Sequence, residues 1–343
     1  MIRIYKDRDI SKRNTFGMKV SCSCYVAYDT LEDLFKMDFQ EFPAPVRCIG
    51  SGSNLLFTGD FKGTLLHSGI KFLREVGRGE DEVLVEAGAG AVFDDFVDWA
   101  CSLGLWGAEN LSLIPGEVGA AAVQNIGAYG VEAKDIIVRV NCFDRRTCDI
   151  VTFENSPCEY GYRSSFFKSE EARDRYIVTS VLFRLSSEPC PKLEYGNIRA
   201  ALDGREANAP GDVRNAIIGI RRAKLPDPSE TGSAGSFFKN PVISEEHFAR
   251  IEREAQAESG PDCRVPHFAA DGGVKVPAAW MIERCGLKGE RLGGAAVYDK
   301  QPLVIVNLTG DASPEDILSL ERKIIKAVRD KFGVELHPEV EHL

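Results

Sequence analysis

Three polar side chains carry the chemistry this sequence offers. Arg163 sits among aromatic and small residues in Gly161-Tyr162-Arg163-Ser164-Ser165-Phe166-Phe167-Lys168, where its planar fork could grip a carboxylate. The plainer alternative is an arginine stacked on Tyr162 at the surface. Ser236 lies in Gly232-Ser233-Ala234-Gly235-Ser236-Phe237-Phe238-Lys239-Asn240, a loop pinned by two phenylalanines. A hydrogen-bonded turn serine is the commoner case there. No GxSxG motif or Ser/His/Asp ordering surrounds it, so a hydrolytic nucleophile is poorly supported. Glu339 in Pro338-Glu339-Val340-Glu341 also reads as a surface strand end.

Two glycine-bearing stretches could hold an anion. GSGSNLLF (50–57) follows the strand-like Val46-Arg47-Cys48-Ile49, and SLIPGEVGAAAVQNIGAYG (112–130) carries a formal charge only at Glu117. Glycine loses more backbone entropy on folding than any other residue, so this density needs a cause such as a turn or close ligand approach. Successive backbone amides in such loops make a concavity suited to a pyrophosphate. Each loop taken singly is explained as well by a tight turn.

The chain of 343 residues is long enough for two or three domains, with the apolar (44%) and charged (27%) fractions of an ordinary globular protein. A net charge of −10 disfavours nonspecific nucleic-acid binding, so an anionic ligand needs local basic groups. No apolar run approaches a membrane span, and the N-terminus lacks the apolar core of a signal peptide. The ten cysteines form no CxxC pair and read as mostly buried reduced thiols. The five histidines lack ligand-like spacing, so no metal is expected.

The elements that must position the loops alternate irregularly. Phe93, Phe96, Val97, Ala100 and Cys101 make one apolar stripe, which predicts a helix over about 92–103 leading into the second loop. Strands are expected over 46–49, 64–68, 84–87, 136–144, 149–153 and 176–185. A helix over about 211–224 should end at AKLPDP, where prolines forbid continuation. Residues 254–273 read as an irregular loop, 277–286 as a helix, and 295–307 as a hairpin turning at 298–301. The last helix is marked by Ser313, Pro314 and Asp316 at its start, the apolar face Ile317, Leu320, Ile324, Val328 and Phe332, and Gly333 as its cap. This mixture argues for α+β, and the glycine loops do not spell GxGxxG.

GSGSNLLF, ENLSLIPGEVGAAAVQNIGAYGVE, YGYRSSFFK, AKLPDP, GSAGSFFKNP, GGAAV and HPEVE occur in this order across nearly the whole chain. Together, with NTFG at 14–17, they resemble the UDP-N-acetylenolpyruvoylglucosamine reductase family, in the type with a tyrosine-bearing loop (Leu193-Glu194-Tyr195-Gly196-Asn197). The resemblance implies a two-lobed FAD-binding domain of the vanillyl-alcohol-oxidase type plus an α+β substrate-binding domain. Lobe 1 would be 1–70, completed by 312–343, lobe 2 would be 71–220, and the substrate-binding domain 221–311.

By the same resemblance NADPH reduces non-covalently bound FAD, leaves, and is replaced by the enolpyruvyl ether of UDP-N-acetylglucosamine. Reduction to the lactyl ether gives UDP-N-acetylmuramate for peptidoglycan. Hydride would come from flavin N5, the proton from Ser236, and enolate stabilisation from Arg163 and Glu339. FAD would be held by Gly50, Ser51, Gly52, Ser53 and Asn54 and by Pro115, Gly116, Gly119, Ala120, Gln124, Asn125, Gly127, Ala128 and Tyr129. Ser51 departs from the family, which usually has a third consecutive glycine. Tyr162, Tyr195, Lys224, Asn240 and Gln301 would bind the substrate, with the turn around Gln301 differing locally. A cytoplasmic monomer without nucleic-acid or membrane partners is expected. A different FAD oxidase or dehydrogenase of the same fold would share the flavin loops, and a non-catalytic nucleotide-binding module would need only those.

Overall fold

The computed structural model describes all 343 residues. They fold into two compact units, Met1–Asp9 with Ser21–Gly52 and Asp60–Ala223, and Ile10–Val20 with Ser53–Gly59 and Lys224–Leu343.

The first unit contains two larger sheets and a two-stranded ribbon of Gly127–Ala128 with Val131–Glu132. One orders Arg3–Asp9, Ser21–Tyr28, Phe61–Ser68 and Val46–Ile49, antiparallel at its first pair and parallel thereafter. The other is antiparallel throughout, in the order Asp149–Glu154, Ile137–Asp144, Tyr176–Ser186, Glu82–Gly88, Leu73–Arg78. Helix Phe93–Ser102 buries Phe93, Phe96, Val97 and Ala100 in the core of this second sheet, and Phe96 stacks on Phe183 with centroids 4.4 Å apart. Cys101, expected on that stripe, is only partly buried. Helix Pro210–Lys224 is tied to the same helix by Arg214, whose guanidinium donates to Asp94 (2.6 Å) and Asp98 (2.9 Å).

The second unit is built on an antiparallel sheet ordered Gly232–Ser236, Val304–Asn307, Ala295–Val297, Arg291–Leu292. The expected hairpin over 295–307 is its middle. Helix Pro314–Phe332 has the capping box seen in the sequence: Ser313 Oγ accepts from the Asp316 amide, and the Asp316 carboxylate accepts from the Ser313 amide. Its apolar face is buried, and it packs on helix Ala278–Arg284 and on strands 291–297. Trp280 and Phe332 meet there at 5.5 Å. The final strand, Glu341–His342, runs parallel to Leu55–Leu56.

Residues 254–273 depart from the expected irregular loop. Helix Glu245–Ser259 runs well into the stretch, burying Ile251 and Ala255, and a hairpin of Phe268–Ala270 with Gly273–Lys275 ends it. Two buried positions in so charged a helix leave little apolar periodicity to read. The ten cysteines are all free, but the expectation that they are mostly buried fails: only Cys22, Cys24, Cys142 and Cys158 are buried, Cys101, Cys263 and Cys285 are half-buried, and Cys48, Cys148 and Cys190 are exposed. No helix is long and apolar enough to cross a membrane.

Candidate active site

In the first unit the two glycine loops are packed together by their small residues. A methyl group on Gly50 would come within 3.2 Å of the Ala120 side chain and 3.4 Å of Glu117 Oε2. Glu117, at the start of helix Val118–Gln124, is paired with His67 at 2.9 Å, so the second loop is anchored to the sheet strand Phe61–Ser68. Gly119 lies so close to Ala89 that its own methyl would stand 2.9 Å from that of Ala89. Gly52 has φ +73°, a left-handed turn position that glycine tolerates, whereas Ser51 stays out of that region. The departure at Ser51 therefore strains nothing.

Asn125 closes helix Val118–Gln124 in the left-handed conformation, at φ 45°, and is fully buried. Its amide nitrogen donates to Glu132 Oε2 (2.9 Å) and the Gly161 carbonyl (2.8 Å), and its oxygen accepts from the Lys134 amide (3.0 Å). The side chain thus shapes the loop. Segment 161–168 lies along the end of the same helix. Ser165 Oγ donates to the Val123 carbonyl at 2.6 Å, Lys168 to Gln124 Oε1, and Arg163 to the carbonyls of Gly127 (2.7 Å) and Asn125 (3.4 Å). Arg163 itself is at φ 53°. Its guanidinium lies 5.7 Å from the Tyr162 ring centroid, so the stacking alternative and the loop anchoring hold together.

Two further groups join this face. Tyr195 rests on Gly130, and Gly196 on the Tyr129 ring, while Asn110 donates from one amide nitrogen to the carbonyls of Tyr129 (2.8 Å) and Lys192 (2.9 Å). The tyrosine-bearing loop is thereby seated on the second glycine loop. Arg221 was not singled out in the sequence. Its guanidinium hydrogen-bonds the Tyr129 hydroxyl with Arg163 nearby, burial lowers its pKa, and its Nε has no hydrogen-bond partner. Burial also raises the Tyr129 hydroxyl, opposed by Arg221. Only the run of basic residues in IRRAK hinted at it.

The second unit holds Ser53, Asn54, Lys224, Ser236, Asn240, Gln301 and Glu339. Ser236 ends its strand opposite Val304, after Gly235 at φ 71°. The next residue, Phe237, is fully buried, and its carbonyl accepts from the Glu339 amide at 2.8 Å. Lys239 N donates to the His337 carbonyl (2.9 Å), so the chain on either side of Glu339 is laced to the chain after Ser236. Asn54 donates from its side chain to the Glu339 carbonyl (3.1 Å) and accepts the Glu341 amide at its own carbonyl (3.0 Å). Asn240 Oδ1 accepts from the Ala278 amide at the start of helix Ala278–Arg284. Lys224 is exposed at a helix end, and Gln301 sits in the hairpin turn.

Residues 227–343 match the model of the UDP-N-acetylenolpyruvoylglucosamine reductase C-terminal domain, and residues 36–154 that of an FAD binding domain. A UDP-N-acetylenolpyruvoylglucosamine reductase of Bacteroides fragilis is 45% identical over 329 residues, covering 95% of this chain and 96% of the relative. One of Chromobacterium violaceum is 46% identical over 342 residues, covering 97% of each. The chain belongs to this family.

The solved reductase of Thermus caldophilus superposes with a TM-score of 0.69 at 24% identity, over 100% of this chain and 99% of that one. A solvent-stable cholesterol oxidase aligns over 98% of this chain and 87% of its own, with a TM-score of 0.50 at 12% identity. These two show the α+β fold of the flavin-binding type. As a family member the chain is an FAD-dependent oxidoreductase, and the packed glycine loops with their neighbouring arginines fit a flavin dinucleotide. Small residues let backbone approach the cofactor, and Arg163 and Arg221 bring positive charge to the loop that reads as its seat.

Proposed function

We propose that the chain uses NADPH to reduce the enolpyruvyl ether of a UDP-linked N-acetylglucosamine to the lactyl ether, with roles divided among its own residues. Residues 1–220, completed by 312–343, carry the dinucleotide and 221–311 the nucleotide sugar. Bound FAD supplies hydride exchange between NADPH and the vinyl carbon distal to the ether. Everything else falls to side chains. Arg163, pinned by two loop carbonyls, cannot swing away, so its charge stands ready for the carboxylate on which negative charge develops. One such preorganised donor is worth about 3 kcal/mol. Glu339 shares the work of stabilising the enolate. Ser236 gives its proton to the ether-bearing carbon, and the two additions saturate the double bond.

The observation that carries this reading is the bond between the Glu339 amide and the Phe237 carbonyl, which fixes the glutamate's backbone one residue from Ser236. Tyr195 serves as a hydroxyl over the substrate diphosphate and Lys224 as a point charge on it, with Tyr162, Asn240 and Gln301 as further contacts. Gly50, Ser51, Gly52, Ser53, Asn54 and the 115–129 loop hold the cofactor, joined by Arg221. We take the chain to act as a cytoplasmic monomer, and its charge of −10 disfavours nucleic-acid binding. The test is a single turnover: protein reduced by NADPH and freed of it should be reoxidised, without oxygen, by the enolpyruvyl nucleotide. Absence of reoxidation sinks the proposal.

A further inference from the structure

Glu321 lies on the buried face of helix Pro314–Phe332 and is 6% exposed. Its Oε2 has no hydrogen-bond partner and stands 3.5 Å from His342 Nε2. A carboxylate so placed is costly unless it is neutralised or paired. His342 belongs to the last strand, which is held on the chain from Asn54 to Thr58. Glu341 N donates to Asn54 O, Leu343 N to Leu56 O (2.9 Å), and the Leu343 carbonyl accepts from Thr58 N (2.7 Å). Its ring lies 6.1 Å from that of Phe237, the residue that holds the Glu339 amide and follows Ser236.

We propose that Glu321 and His342 share one proton as a latch that seats the C-terminal strand, and so act as positioning residues for Glu339 relative to Ser236. This rests on the roles proposed above for those two residues.

With one proton between them, the pair is either a neutral acid beside a neutral imidazole or an ion pair, and both states attract. Two protons put a cation against a neutral acid, and none leaves a bare buried carboxylate. Either change weakens the seat of residues 339–343. Burial pushes the Glu321 carboxyl up to about 7 and partial burial lowers His342, whose side chain is 31% exposed, so the proton on the pair is lost within working pH. Other charges near the pair are committed or solvated. Arg322 on the same helix binds Glu315, and on helix Ala278–Arg284 Glu283 binds Lys288 (3.0 Å) while Arg284 binds Ser259. Arg291 on the adjoining strand is exposed, Glu341 and the Leu343 carboxylate flank His342 in sequence, and the facing loop 53–59 has no ionisable side chain.

The experiment measures flavin reoxidation by the enolpyruvyl nucleotide across about pH 6–9, with NADPH reduction followed separately. In the native protein reoxidation should fall as pH rises through about 7, the value to which Glu321 is pushed. Glu321→Gln keeps the size of the side chain and its approach to His342 but cannot ionise. It should retain the neutral-pH rate and lose that pH step. Glu321→Leu should slow reoxidation roughly 10- to 100-fold, as expected for a displaced catalytic group, with flavin content, NADPH reduction and substrate KM unchanged. A Gln variant that keeps the step overturns the proposal, as does a Leu variant with native reoxidation or equal slowing of both half-reactions. The Gln arm decides the matter if the Leu variant fails to fold. Failure of the native protein to be reoxidised at all would instead count against the proposed function.

Discussion

Arg163 Nη2 donates to the Gly127 carbonyl at 2.7 Å, and a methyl group on Gly127 would stand 3.1 Å from Arg163 Nη1. The proposed carboxylate ligand and the proposed cofactor loop are therefore one mechanical piece. The same methyl would also crowd Glu132 Cγ at 3.0 Å and the Val131 carbonyl at 3.1 Å. The Val131 carbonyl is backbone and yields least, while the Glu132 and Arg163 side chains would have to shift to make room.

Gly127→Val is accordingly expected to strip FAD from a protein that still folds, and to displace Arg163. Visible absorbance of the purified variant against its circular dichroism measures both. Full flavin occupancy in the variant would mean that the cofactor loop has been misplaced.

A different loss is expected at Lys224, which is exposed and far less constrained. Removing a charged partner from a diphosphate costs about 1.5–3 kcal/mol, or roughly 10- to 100-fold in affinity. Lys224→Ala should raise the substrate dissociation constant by that factor with flavin content unaltered. The titration belongs at low salt, where screening hides least. An unchanged constant there contradicts the assignment.

Some of this was legible in the chain because it is local. The last helix carries its cap, its apolar face and its Gly333 terminator within one stretch, and Gly333 takes φ 67° as that signal implies. The stripe at 93–100 is of the same kind. What was hidden depends on residues far apart in sequence. The Arg221–Tyr129 contact joins positions 92 residues apart whose local patterns do not point to each other, and the carbonyl partners of Arg163 are backbone atoms that carry no residue identity. Strand Arg3–Asp9 escaped notice because its mostly exposed edge position leaves no apolar alternation to read. The hairpin at 268–275 did have a sign, the Asp271-Gly272 pair between its strands, with Gly272 at φ 81°.

Glu321 also predicts a pH dependence of stability. Its carboxyl moves from an ordinary 4.5 to about 7 in the fold, so the folded state prefers the protonated form. Below about pH 4.5 that preference costs nothing, and stability is lost as pH rises through about 7, by at most about 3 kcal/mol. Glu321→Gln, fixed in a neutral form, should therefore stabilise the protein at pH 8 and make little difference at pH 4. Urea midpoints at the two pH values give the answer. A Gln variant that is less stable at both would show that the buried carboxylate is favourably paired throughout.

Ser236 separates the two halves of the reaction. Proton donation to carbon follows hydride transfer to the substrate, so the hydroxyl has nothing to do while NADPH reduces the flavin. Ser236→Ala should keep FAD, bind both ligands, and be reduced at close to the native rate. Reoxidation by the enolpyruvyl nucleotide should fall roughly 10²–10⁴-fold, the usual worth of a positioned acid. Ser236→Cys should recover part of it, because a thiol can also give up a proton. A serine that only shapes the turn predicts otherwise. Its strand pairing with Val304 is made by backbone and survives in alanine, so any loss would come from stability and would touch both half-reactions alike. Stopped-flow traces of flavin absorbance, taken once with NADPH and once with the nucleotide, distinguish the two. Equal slowing of reduction and reoxidation in the alanine variant removes Ser236 from the mechanism.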